Sequence, residues 1–145
     1  MIRQDFIKRK ISLIQDDLSH IAEFAQYSFD KIATDFVKQA ALERILEMII
    51  TRAIDINQHL IAELADKNIS PPKDYKETFL ALAKLGIYPA KFAEEISKSI
   101  ATRNKLVHEY DKVDQIAIYN SVGDCLRDYT QYCDYILKFL EKLKQ

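Results

Sequence analysis

Residues 103–110 read Arg-Asn-Lys-Leu-Val-His-Glu-Tyr, and this octet concentrates groups able to act on a phosphodiester. RNA carries its own nucleophile, the ribose 2′-hydroxyl. A nuclease that works without a metal then needs one group to move a proton and one cation to stabilise the charged phosphorus centre. Histidine is the general acid–base residue of neutral pH, so His108 suits the first task. Arg103 stays charged and can fork onto two phosphate oxygens, which suits the second. Asn104 stands four residues before His108, on the same helical face, where its amide can orient the imidazole.

The spacing also sets a problem. Five steps from Arg103 to His108 turn about 140° around a straight helix of 3.6 residues per turn, so the pair converges poorly on one small ligand. A helix end between them would solve this, as would a second copy of the motif across a dimer axis; the dimer is the reading adopted. Taken singly, each residue has a plainer role. Arg103 can pair with a helix C-terminus or a neighbouring acid, His108 can end a helix, and Tyr110 can be a core aromatic with its hydroxyl at the surface. Arg-x4-His alone arises by chance; the complete string, closed by His-x-Tyr, is much rarer and carries the argument.

Lys84, Lys91, Lys98, Lys105 and Lys112 recur every seven residues, so those within one helix share a face. Lys98 and Lys105 are the candidates for guiding RNA to the motif. The same series also reads as a solvated lysine face, its field diluted by Glu94, Glu95, Glu109 and Asp111. His20 and His59 lack a ligand-spaced partner, and Glu43, Glu47 and Asp55 are interspersed with Arg44 and Arg52, as on an ion-laced helix face. No metal site and no cofactor are expected.

The elements that must position the motif are helices. With 2 Gly and 3 Pro in 145 residues, the chain is too poorly punctuated for strands and turns, and its common residues favour helix. Phe6, Ile7, Ile11, Ile14, Leu18 and Ile21 predict a first helix over 2–27. A second, over about 30–67, is carried by Ile32, Phe36, Leu42, Leu46, Ile49, Ala53, Ile56 and Leu60, and its length calls for several packing partners. Asn68-Ile69-Ser70-Pro71-Pro72 breaks the pattern, with Ser70 as cap and a proline in the first turn of a third helix over 72–84. That helix turns Tyr75, Phe79, Leu82 and Leu85 inward, and Gly86 stands at its C-terminal cap. Pro89 opens a fourth helix through Val107. After a turn at 111–114 a fifth runs to the C-terminus, its Leu126, Tyr129, Cys133, Ile136, Leu140 and Leu143 forming a seam for a core or an interface.

The expected architecture is a single all-α domain over 1–145, an up-and-down bundle of about five helices. A formal net charge of −1 argues against a protein that grips a long duplex through many phosphates, and leaves room for one that touches a few in a local cleft. No segment has the apolar length of a membrane span. Cys125 and Cys133, eight apart on one helix and so about 12 Å apart, are too distant to bridge. They read as free thiols of a cytoplasmic protein.

The string Arg103-Asn104-x-x-Val107-His108-x-Tyr110 resembles the signature of HepT-like proteins, the toxin halves of HepT/MntA toxin–antitoxin pairs in the HEPN superfamily. The likeness extends through Ala41-Leu42-Glu43-Arg44-Ile45, Ala53-Ile54-Asp55 and Pro71-x-x-x-Tyr75-x-x-x-Phe79-x-x-Leu82-x-x-x-Gly86-Ile87. It implies a helical homodimer, or a higher oligomer built on it, acting as a metal-independent ribonuclease on tRNA or mRNA. Arg103 and His108 are then the catalytic pair and Asn104 a supporting residue. It further implies a nucleotidyltransferase antitoxin of MntA type that attaches AMP to Tyr110. Two other readings stand beside this one. The chain could be a non-catalytic module binding nucleotide or substrate for a separate nucleotidyltransferase, or a toxin silenced by complex formation alone, with Tyr110 structural.

Overall fold

The computed structural model describes residues 1–67, 69–108 and 112–144, the side chains of residues 112 and 113 excepted. Among these residues the secondary structure is wholly helical: α1 (Gln4–Phe24), α2 (Phe29–Ala33), α3 (Phe36–Leu64), α4 (Tyr75–Lys84), α5 (Ala90–Ser97), α6 (Ser99–Val107) and α7 (Lys112–Leu143).

Two of the expected helices are each divided in two. The predicted second helix breaks at Asp35, whose carboxylate turns back to accept the N–H groups of Val37 (3.1 Å) and Lys38 (3.2 Å). An aspartate satisfying two otherwise orphaned amides favours a new helix start over continuation. The predicted fourth helix tightens at Lys98, where Lys98 N–H and Ala101 N–H bond the carbonyls three residues back. Ser97 and Ser99 hydroxyls also donate to the carbonyls of Glu94 and Ile96, the local competition that makes serine a weak helix former.

The α3–α4 connection corrects the sequence reading. Asp74, not Ser70, caps α4, accepting Glu77 N–H at 2.8 Å, so Pro71 and Pro72 precede the helix. Its other end meets the expectation. Gly86 has φ +80°, its N–H bonds Ala83 O, and Ile87 N–H bonds Leu82 O, both at 3.0 Å. This paired closure needs a left-handed residue, which glycine supplies without a Cβ penalty.

α3 is the axis of the domain, packing against α1, α2, α4, α6 and α7. α1 runs antiparallel to it, locked by a half-buried Lys10–Asp55 ion pair at 2.9 Å and by Arg52 with Asp17. α7 runs parallel to α3 and antiparallel to α6, pairing Ser99 with Tyr129 at 2.7 Å and Lys105 with Asp114 at 3.7 Å. The α7 seam is core: Tyr129, Cys133, Ile136 and Leu140 are buried within the single chain, whereas Leu143 is exposed. Phe36, expected inside, is 83% exposed, and Tyr75 is 41% exposed. Each stands at the first position of its helix, beyond the layer that its periodicity addresses.

At the centre lies one polar chain. Asn57, fully buried, donates from Nδ2 to Thr78 Oγ1 at 3.2 Å and accepts the Tyr132 hydroxyl at Oδ1 at 2.6 Å. Tyr132 Oη also lies 3.1 Å from Ala53 O, and Thr78 Oγ1 donates to Tyr75 O at 2.7 Å. The chain ties α3, α4 and α7 at one point.

Tyr132→Phe leaves the buried Asn57 carbonyl without its donor and should cost about 1–3 kcal/mol, a fall in Tm of roughly 2–12 °C for a chain of this size. Thermal unfolding followed by circular dichroism checks this; an unchanged midpoint would show that the network is not under tension with the core. Burial pushes the thiols of Cys125 and Cys133 up to about 12. Both should therefore resist alkylation at pH 8 in the folded protein, where almost no thiolate exists, and react promptly in denaturant.

Candidate active site

Arg103 sits in the middle of α6, with its side chain laid toward α3 and α4. Its Nε–H donates to Thr51 Oγ1 at 3.3 Å, and its guanidinium carbon lies 4.9 Å from the centroid of the Tyr75 ring. One hydrogen bond and one cation–π contact thus hold the guanidinium from two sides, and neither uses the outer Nη nitrogens with which arginine forks onto a phosphate.

α6 ends at Val107. His108 is its C-cap, with extended backbone (φ −104°, ψ 158°), its N–H bonded to Asn104 O at 3.2 Å. The imidazole is exposed. Of the two solutions to the spacing problem, a helix end is therefore present within the single chain: the 140° rule of a continuous helix ceases to govern His108. Asn104 is exposed and serves the turn through its backbone carbonyl. The structure thus places Arg103 at the middle of α6, Asn104 directly after it and His108 at the C-cap, while Tyr110 lies outside the described residues.

The two lysines occupy different settings. Lys105, on α6, pairs with Asp114 at 3.7 Å. Lys98 pairs with Glu95 at 2.9 Å, which raises the ammonium pKa and lowers that of the carboxyl. It borders a cavity shared with Ile50, Thr102, Ser121, Asp124 and Asp128 on the α7 side of α6, whereas Arg103 turns to the α3 and α4 side. Burial raises the Asp128 carboxyl, against which the adjacent Arg127 at 3.1 Å works to lower it. Each lysine thus offers a charge already partly neutralised.

Thr51 and Tyr75 are the site residues that sequence reasoning missed. Thr51 is one polar side chain among many on a long helix, and nothing in its spacing singles it out. Tyr75 carried a signal in hindsight: it follows the capping Asp74 directly, and a first-turn residue often stands over the end of its helix instead of inside the core.

The fold defines the class, an all-helical domain. Comparison with known proteins narrows it: the chain belongs to the HepT-like ribonucleases, for the family described as Ribonuclease HepT-like matches residues 14–136. It is 33% identical over 141 residues to a tRNA nuclease HepT of Aphanizomenon flos-aquae, covering 96% of this chain and 92% of that one. It is 25% identical over 130 residues to an mRNA nuclease HepT of Shewanella oneidensis, covering 90% of each. In three dimensions it superposes with TM-score 0.78 on a tri-AMPylated Shewanella oneidensis HEPN toxin in complex with MNT antitoxin. There the identity is 22%, and 92% of this chain and 98% of that one are covered. The expected enzyme class, ribonuclease, is that of the family. Among the described residues no helix is long and apolar enough to cross a membrane.

Thr51→Val removes the acceptor of the Arg103 Nε–H. The change in stability should stay within about 1.5 kcal/mol, the net worth of one such bond, while solvent exchange of the Arg103 Nε proton, read by NMR, accelerates. Unchanged exchange would show that Tyr75 alone holds the guanidinium.

Proposed function

We propose that the chain is the toxin of a toxin–antitoxin pair, cleaving tRNA or mRNA without a metal through Arg103 and His108. One observation carries the reading: in a HepT-like ribonuclease chain, α6 ends between a guanidinium held by Thr51 and Tyr75 and an exposed histidine. In the cleavage step the ribose 2′-oxygen attacks the adjacent phosphorus and the bond to O5′ breaks. A proton leaves the 2′-oxygen and one arrives at O5′. His108 is the group that moves protons at neutral pH. Arg103 binds the phosphorane oxygens as charge builds on them. Asn104 supports the turn that sets the imidazole, and Lys98 and Lys105 supply a weak cationic edge.

The active form is a homodimer, placing two such motifs in one cleft, and the antitoxin partner is an MntA-like nucleotidyltransferase that adds AMP to Tyr110. The tri-AMPylated state of the Shewanella oneidensis toxin supports the modification, and the physics is coherent. Tyr110 is two residues from His108, and each AMP adds bulk and negative charge there, excluding RNA by sterics and repulsion.

The test is cleavage of total cellular RNA by purified protein in the presence of a chelator, its mass verified as free of AMP, beside His108→Ala and Arg103→Ala. Cleavage should fall at least a hundredfold in each variant, the lower range for removing a general acid–base or a charge-stabilising group, about 10²–10³, with circular dichroism unchanged. If unmodified wild type is as inert as the variants, the protein is a binding module. If wild type and variants cut equally, other residues do the chemistry.

A further inference from the structure

Tyr75 touches more than Arg103. Its ring is also one wall of a cleft of about 340 Å³ between the C-terminal half of α3 and the segment leading into α4. That volume is in the range of small-molecule sites. Ile61, Ala62 and Pro72 give the cleft apolar walls, and Gln58 and Lys73 add an amide and an ammonium. Its backbone is anchored at this edge, since the Tyr75 carbonyl accepts from Thr78, which accepts in turn from the buried Asn57, and its ring packs against the Arg103 guanidinium. A large aromatic that is 41% exposed, with its backbone tied to the core, offers a π surface to this cleft.

We propose that this cleft is the nucleobase subsite of the RNA substrate, with Tyr75 the stacking surface for an unpaired base whose phosphate reaches Arg103. The inference rests on the ribonuclease reading and deepens it. The chemistry matches a nucleotide part by part. A planar π face accepts any base, the Gln58 amide offers a donor and an acceptor to a base edge, and Lys73 meets a neighbouring phosphate. The nearby acids are turned onto the local backbone, Asp74 Oδ1 capping Glu77 N–H and Glu77 Oε2 accepting Lys73 N–H. Since Tyr75 carries the Arg103 guanidinium at 4.9 Å, one residue sets base and phosphate in register. Stacking needs a base outside a duplex, so the preferred substrate is a loop or single strand, not paired RNA.

Binding, not cleavage, tests this. The full-length protein is titrated with a fluorescent single-stranded oligonucleotide carrying 2′-O-methyl groups, which cannot be cut. Ala62→Trp fills the cleft from an exposed position on α3, about 16 Å along the helix from Thr51 at 1.5 Å per residue, so the Arg103–Thr51 hydrogen bond lies outside its reach. Ala62→Trp and Tyr75→Leu should each weaken binding by about five- to 150-fold, the range for one stacked base, and Tyr75→Phe should restore most of what Tyr75→Leu loses. A 5-iodouridine oligonucleotide should crosslink to Tyr75. Equal binding by wild type, Ala62→Trp and Tyr75→Leu, with crosslinks only outside the cleft, overturns the subsite and leaves ribonuclease activity standing. A wild-type protein that neither binds this oligonucleotide nor cuts cellular RNA overturns both.

Discussion

The buried hydrogen-bond chain Tyr132–Asn57–Thr78–Tyr75 is the constraint on which the rest of the structure turns. A fully buried amide is costly unless its donor and acceptor are both met. Here the two partners come from two different helices, α7 through Tyr132 and α4 through Thr78. Satisfying Asn57 therefore fixes the register of α4 and α7 against α3 more sharply than the surrounding leucines and isoleucines can, since apolar packing is non-directional. The chain ends on the backbone of Tyr75, the residue that supports Arg103. Core polarity and site geometry are in this sense one device.

The other determinants of the site are terminations. α6 is a helix of nine residues between a tightened turn at Lys98 and an extended His108. A longer α6 would hold His108 about 140° around the helix from Arg103; the extended backbone of His108 releases it from that constraint. Similarly, α4 begins late, at Tyr75, because Asp74 is the cap. Had Ser70 capped the helix, Tyr75 would lie within it instead of over its end. Helix ends carry unsatisfied amides and carbonyls, and where side chains satisfy them the chain turns sharply and reproducibly, which suits a site.

The modest net charge agrees with this economy. Most described lysines and arginines around the site have acidic neighbours within the chain, as Lys98 has Glu95 and Lys105 has Asp114. Arg103 instead has a hydroxyl and an aromatic ring. Neither of these two partners carries a negative charge, so among the described residues they hold the guanidinium without neutralising it.

The amino-acid sequence by itself determined the helical class, the core stripes of α1, of α3 from Leu42 to Leu60 and of α7 from Tyr129 to Leu140, the glycine closure after α4, and the candidate residues Arg103, Asn104 and His108. Apolar periodicity and glycine conformation act over a few residues and are legible there. It did not determine the division at Asp35, the capping by Asp74, the exposure of Phe36, or the roles of Thr51 and Tyr75. Those depend on competition between a side chain and the backbone for the same amide, and on contacts between residues far apart in the chain, 52 positions in the case of Thr51 and Arg103. Only packing of α3, α4 and α6 against one another brings such residues within reach, because no local pattern encodes which face of one helix will meet which residue of another.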